Sequence, residues 1–156
     1  MDDAGAAGRR RSLAILAFAL VAFVALLIFG LGVVSLALDE AVISQPGMTQ
    51  APGIVGTILS MLGFAAVAYP ALLRRSGVAM AVLTGLASVF GYVAGVAIGG
   101  LFSGIDPLRA IGVAGSLAIS WPATVVFVAS AVCAAAALAV GRARPGTARW
   151  PWERDE

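Results

Sequence analysis

Four long stretches without a charged residue constrain this chain more than any other feature. They contain 27, 21, 30 and 32 residues and lie at Ser12–Leu38, Gly53–Leu73, Ser76–Ile105 and Ala110–Gly141. A helix needs about 20 apolar residues to cross the hydrocarbon core of a bilayer. Because apolar and polar residues do not alternate within these stretches, they fit helices and not the strands of a barrel. The pattern predicts an all-α integral membrane protein, a bundle of four transmembrane helices.

Composition excludes a water-soluble domain of this length. Hydrophobic residues make up 61% of the 156 residues and charged residues only 12%, whereas soluble domains carry about 25% charged residues. The first apolar stretch is also longer than the 7–15 or so apolar residues of a secretory signal peptide. We therefore interpret it as a membrane anchor, in preference to a cleaved signal peptide or a twin-arginine signal.

The basic residues, all of them arginine, predict the orientation of the chain. Only Arg109 falls on one side of the predicted membrane. The other nine share the opposite side: Arg9, Arg10, Arg11, Arg74, Arg75, Arg142, Arg144, Arg149 and Arg154. Cytoplasmic loops carry the excess of basic residues in membrane proteins. We expect a multi-pass protein of the cell (cytoplasmic) membrane with both termini in the cytoplasm.

The same boundaries divide the chain into three parts. Residues 1–11 form a basic cytoplasmic N-terminus, residues 12–141 a single transmembrane domain, and residues 142–156 a cytoplasmic tail rich in Arg and Trp. Within the domain, we expect transmembrane helices at about 12–38, 53–73, 77–102 and 121–141.

The last apolar stretch is too long for one crossing. At 1.5 Å per residue its 32 residues would extend about 48 Å, against a hydrocarbon core of about 30 Å. Ser120, Trp121 and Pro122 supply the break, since Ser and Pro favour helix starts and Trp favours the interface. Residues 106–119 then form a short interfacial helix, a re-entrant helix or an extension of the fourth transmembrane helix.

Small residues recur every four positions on two of the predicted helices, where they allow close helix packing. The fourth transmembrane helix offers a row that is a plausible complement to the row on the third. The third helix carries Ala87, Gly91, Gly95, Gly99 and Ser103, and the fourth carries Ala129, Cys133 and Ala137. We expect these rows to pack the bundle internally; the alternative is self-association or docking onto a larger membrane protein.

No Asp, Glu, Lys, Arg or His lies inside the four predicted spans. Proteins keep such groups, which cost roughly 2.5–3.5 kcal/mol each at a helix centre, for proton relays and substrate sites. We therefore expect no enzyme, no catalytic residues, no cofactor and no metal site. A structural or accessory role is the leading hypothesis. The alternative is a small pore or facilitator for an ion or a neutral solute, lined by Thr84, Ser88 and Tyr92 with residues 106–119 at its mouth.

The expected partners are the lipid bilayer and a second membrane protein or a second copy of the chain, with no nucleic acid. Arginines beside a membrane attract anionic lipid headgroups, and Trp settles at headgroup level. The residues expected to set topology and contact lipid are Arg9, Arg10, Arg11, Arg74, Arg75, Arg142, Arg144, Trp150 and Trp152. The tail serves as a topology anchor or as a linear docking motif.

The whole layout resembles a known type of protein. Four apolar spans follow an Arg9-Arg10-Arg11 start, an Arg74-Arg75 hairpin joins the second and third spans, and the tail contains Trp150-Pro151-Trp152-Glu153. This arrangement resembles the uncharacterised small four-helix integral membrane proteins of actinobacteria, whose families are mostly domains of unknown function. The resemblance implies a location and a shape, and no activity.

Overall fold

The computed structural model describes residues 3–39, 51–74, 76–77, 79–104 and 106–143. Within these residues the chain is all-helical, with five helices: α1 (Asp3–Leu38), α2 (Ala51–Leu73), α3 (Ala79–Phe102), α4 (Pro107–Ala118) and α5 (Trp121–Arg142). The four helices other than α4 are long and apolar enough to cross a membrane. The prediction of an all-helical chain with four helices able to span a membrane is thereby confirmed.

The first helix begins earlier than the sequence pattern predicts. Its 36 residues start at Asp3, so Arg9, Arg10 and Arg11 lie within the helix and not ahead of it. Ala and Arg are strong helix formers, and no Pro interrupts this segment. At 1.5 Å per residue α1 extends about 54 Å, well beyond a hydrocarbon core of about 30 Å. The bounds of α2, α3 and α5 agree with the predicted ones to within two residues.

The short helix α4 is separate from α5. Asp106 caps its start by accepting a hydrogen bond of 2.9 Å from the backbone N–H of Leu108, and Pro107 occupies the first turn. A break at Ile119 and Ser120 precedes α5, which begins with Trp121 and Pro122. Residues 106–119 are therefore not a continuation of the last spanning helix.

The four long helices form a bundle, and helices α2 and α5 contact α1 on one of its sides. Helices α2 and α3 form the most extensive contact, an antiparallel hairpin, and α3 then packs on α5, α5 on α1 and α1 on α2. Helix α2 also touches α5 across the bundle, whereas the described residues of α1 and α3 do not meet. Helix α4 packs against α3 and, less extensively, α5.

Aromatic and branched side chains fill the centre of the bundle. The rings of Phe23 and Phe64 stack with their centroids 5.2 Å apart and join α1 to α2. Tyr92, Val96 and Val126 complete this core and are almost fully buried. The interior is thus a packed apolar core, and this core positions the polar and small residues described next.

Candidate functional site

The glycine row of α3 lies directly against the backbone of α2. A Cβ atom placed on Gly95 would lie 2.5 Å from the Cα of Gly56, and one placed on Gly91 would overlap the carbonyl oxygen of Leu59. Real Cβ atoms do not come this close to backbone atoms. The two helices therefore approach as closely as they do because Gly91 and Gly95 have no side chains.

Helix α2 contributes glycines of its own to this contact. A Cβ on Gly63 would lie 2.5 Å from the carbonyl oxygen of Ala87, and one on Gly56 would lie 3.2 Å from the ring of Tyr92. We call Gly56, Gly63, Gly91 and Gly95 the glycine seam. The seam joins residues 56–63 of α2 to residues 87–95 of α3.

The two remaining members of the α3 row continue toward the end of the helix. Gly99 is buried, and the Ser103 hydroxyl donates a hydrogen bond of 2.9 Å to its carbonyl oxygen. Both residues therefore extend the row beyond the part that contacts α2 through the glycine seam.

The α5 row does not complement the α3 row, contrary to the expectation from the sequence. Ala129, Cys133 and Ala137 are buried, and the last two line a groove against α1. The backbone of α2 already occupies the face of the α3 glycines. Helix α5 meets α3 elsewhere, where a Cβ on Gly85 would lie 2.8 Å from the ring of Phe127.

The hydroxyls predicted to line a pore lie in the packed interior. Thr84 and Ser88 are fully buried, and each donates to a carbonyl oxygen one turn earlier in α3, at 2.7 and 2.9 Å. Ser130 of α5 does the same at 2.7 Å, and Tyr92 is 2% exposed. These hydrogen bonds satisfy the hydroxyls within their own helices.

Ser60 of α2 differs from the other buried hydroxyls. It is fully buried, and its Oγ atom has no hydrogen-bond partner among the described residues. Its backbone nitrogen lies beside Gly91, so the side chain is held at the level of the glycine seam. An unpaired buried hydroxyl costs free energy that the surrounding packing has to offset.

The described arginines that the sequence assigns to one side of the membrane gather at one end of the bundle. Arg11 of α1 donates to the carbonyl oxygens of Ala143 at 2.8 Å and Val140 at 3.3 Å. Arg142 donates from Nε to the carbonyl oxygen of Ser76 at 3.1 Å. These bonds join α1, α5 and the connection between α2 and α3. The positive charges also interact favourably with the negative, C-terminal end of the α5 helix dipole.

The other arginines and the tail tryptophans complete the set predicted to contact lipid. Arg9, Arg10 and Arg74 are exposed. The remaining members lie outside the described residues: Arg75, Arg144, Trp150 and Trp152.

A long apolar groove between α1 and α5 was not predicted from the sequence. One cavity of about 480 Å³ runs from Ile15 and Val140 to Leu26 and Val132. A second cavity of about 430 Å³ shares Leu26 and Val132 and continues to Gly30. We call the two together the α1–α5 groove. In the sequence the groove is indicated only by small residues on the facing helices. Because many small residues line no groove, this signal does not predict it.

Comparison with known proteins places the chain in a family. Neither the curated proteins nor the solved structures contain a match to it. A family described as "Family of unknown function (DUF6121)" matches residues 6–156. This match includes all four spans and the tail. The chain therefore belongs to the DUF6121 family.

Proposed function

We propose that this protein is a non-enzymatic structural or accessory component of the cytoplasmic membrane, with both termini in the cytoplasm. The observation that carries the proposal is the exposure of α1. Only 22% of the most apolar part of α1 is buried, against 28% in α2, 39% in α3 and 44% in α5. The side of α1 that faces away from the bundle carries a continuous row of exposed residues, on which a partner helix can lie.

This row follows the three-to-four-residue spacing of one helix face. We call it the α1 outer face; every member is exposed: Ala14, Ala17, Val21, Ala25, Ile28, Gly32 and Leu36. Val21 is 70% exposed and Leu36 85%, while a Cβ on Gly32 would meet no atom within 4 Å. Small residues between large ones permit close approach of a second transmembrane helix. The partner is another membrane protein or a second copy of this chain.

The arrangement of buried polar groups favours this role over transport. The hydroxyls of Thr84 and Ser88 are directed to their own helix, so they do not offer hydrogen bonds to a permeating solute. No charged side chain lies within residues 12–38, 53–73, 77–102 or 121–141, which deprives the interior of the groups used in proton-coupled transport and acid–base catalysis. The structure gives the pore hypothesis no comparable support.

Site-specific photocross-linking in native membranes tests the proposal. A photoreactive residue at Ile28 is directed to the α1 outer face, and one at Phe90 of α3, which is 76% exposed, is the matched control. We expect a protein adduct of discrete mass from Ile28 and none from Phe90. An adduct of twice the mass of the chain identifies a second copy. Lipid adducts alone from Ile28, or the same protein adducts from both positions, would contradict the proposal.

A further inference from the structure

Arg11 lies at one end of the α1–α5 groove. Ile15 and Val140 line the groove where it opens at the arginine-rich end. Arg11 lies one helical turn before Ile15, on the same face of α1, and bonds to the carbonyl oxygen of Val140. An apolar channel that ends at a guanidinium matches the two parts of an anionic phospholipid, an acyl chain and a phosphate.

The length of the groove fits one leaflet of a bilayer. Leu26 lies three turns beyond Ile15, a rise of about 16 Å, and half of the hydrocarbon core is about 15 Å. The second cavity extends the groove to Gly30, about 22 Å from Ile15 and still short of the whole core. A transmembrane helix would need a contact that crosses the full bilayer. The groove therefore suits an acyl chain better than a partner helix.

The walls of the groove and the chemistry of Arg11 support the same ligand. Ala22 and Ala136, both exposed, widen the groove between larger neighbours. Arg11 is exposed, and the bonds it forms with described residues both use Nη2. Its Nε and Nη1 each keep an N–H that can donate a charge-assisted hydrogen bond to a phosphate.

We propose that the α1–α5 groove binds one anionic phospholipid, with an acyl chain between α1 and α5 and its phosphate on Arg11. The assignment to the cytoplasmic leaflet rests on the proposed orientation, and binding itself does not. The groove and the α1 outer face are different surfaces, so lipid binding and partner docking can fail independently.

Native mass spectrometry of the full chain in detergent tests this proposal. The probes are phosphatidylglycerol and phosphatidylcholine with identical acyl chains. We expect one retained phosphatidylglycerol per chain, favoured about fivefold over phosphatidylcholine by the single arginine. Arg11→Gln abolishes this preference and Arg11→Lys restores most of it. Equal retention of the two lipids, or an unchanged preference in Arg11→Gln, overturns the proposal.

Two substitutions test the groove itself. Ala136→Leu fills it from α5, and Ala22→Leu fills it from α1, so the test survives if one variant does not fold. Ala66→Leu, at an exposed position of α2 outside the groove, is the matched control. We expect loss of bound phosphatidylglycerol from the groove variants and full retention in Ala66→Leu. Equal retention in all three overturns the proposal, as does a change of oligomeric state without a change in bound lipid.

Discussion

At the residue scale, the hairpin is held together by the absence of side chains. The glycine seam brings backbone against backbone, and the apolar solvent around a transmembrane helix provides no hydrophobic drive for association, so close packing has to supply it. Other glycines of the chain have open surroundings, such as Gly112 of α4, whose Cβ would meet no atom within 4 Å. An added methyl group would clash with backbone at the glycine seam and would meet open space at Gly112.

Gly95→Ala is expected to destabilise the protein. The new Cβ would lie 2.5 Å from the Cα of Gly56, and backbone atoms cannot move aside as a flexible side chain can. Overpacking of this kind costs about 1–3 kcal/mol. Gly112→Ala is the matched control and should be neutral or stabilising by up to about 1 kcal/mol, since Ala favours a helix over Gly. Unfolding in detergent measures the stability of both variants. Equal stability would contradict the close backbone contact at the glycine seam.

Ser60→Ala is expected to stabilise the protein. The substitution removes a buried hydroxyl that has no partner in the part of the chain that the structure describes, and such burial costs about 1–3 kcal/mol. Ser130→Ala is the control, because the Ser130 hydroxyl donates to the carbonyl oxygens of Val126 and Phe127. We expect the free energy of unfolding of Ser60→Ala to be about 1 kcal/mol higher than that of Ser130→Ala. A loss of stability in Ser60→Ala would show that this hydroxyl makes a favourable interaction.

At the element scale, the pairing of helices determines which surfaces remain outside. Helix α1 lies antiparallel to α5, with Arg11 beside Ala143 at one end and Gly30 beside Val125 toward the other. This pairing forms the α1–α5 groove on one side of α1 and leaves the α1 outer face uncovered.

A disulfide tests the pairing of α1 with α5. A Cβ on Gly30 would lie 2.7 Å from Cγ1 of Val125, which brings the two positions within the range that a disulfide spans. In a Cys133→Ala background, Gly30→Cys with Val125→Cys should cross-link rapidly on mild oxidation. Gly30→Cys with Val140→Cys is the control, because Val140 lies about 22 Å further along α5. Efficient cross-linking of the control pair, or none in the first, would contradict the antiparallel pairing.

The elements and the hairpin of α2 with α3 could be predicted from the sequence, whereas the other helix neighbours could not. Charges at Arg74 and Asp106 and the Trp121-Pro122 start mark where helices end or begin, because charges and prolines have strong local preferences. The α3 glycine row indicates a close contact and does not specify the helix that fills it. Helix α2 fills it because Gly56 and Gly63 meet the row in the antiparallel hairpin. The α1–α5 groove depends on the relative placement of helices far apart in sequence, for which no local signal exists.

At the scale of the whole molecule, the two ends of the bundle differ in charge. Arg11 and Arg142 tie three chain segments together at one end, and Asp106 caps α4 at the other. From this distribution of arginine we expect the positive end to face the cytoplasm. The proposed lipid site and the proposed partner surface both require four crossings of the bilayer, and the leaflet assigned to the lipid also requires that orientation.

Cysteine labelling in intact cells tests four crossings and orientation together. In a Cys133→Ala background, single cysteines replace Ala6, Gly77 and Leu108, all exposed. With a membrane-impermeant thiol reagent, we predict that Leu108→Cys is labelled in intact cells, and that Ala6→Cys and Gly77→Cys are labelled only after the membrane is opened. Labelling of Gly77→Cys in intact cells, or protection of Leu108→Cys, would contradict the account.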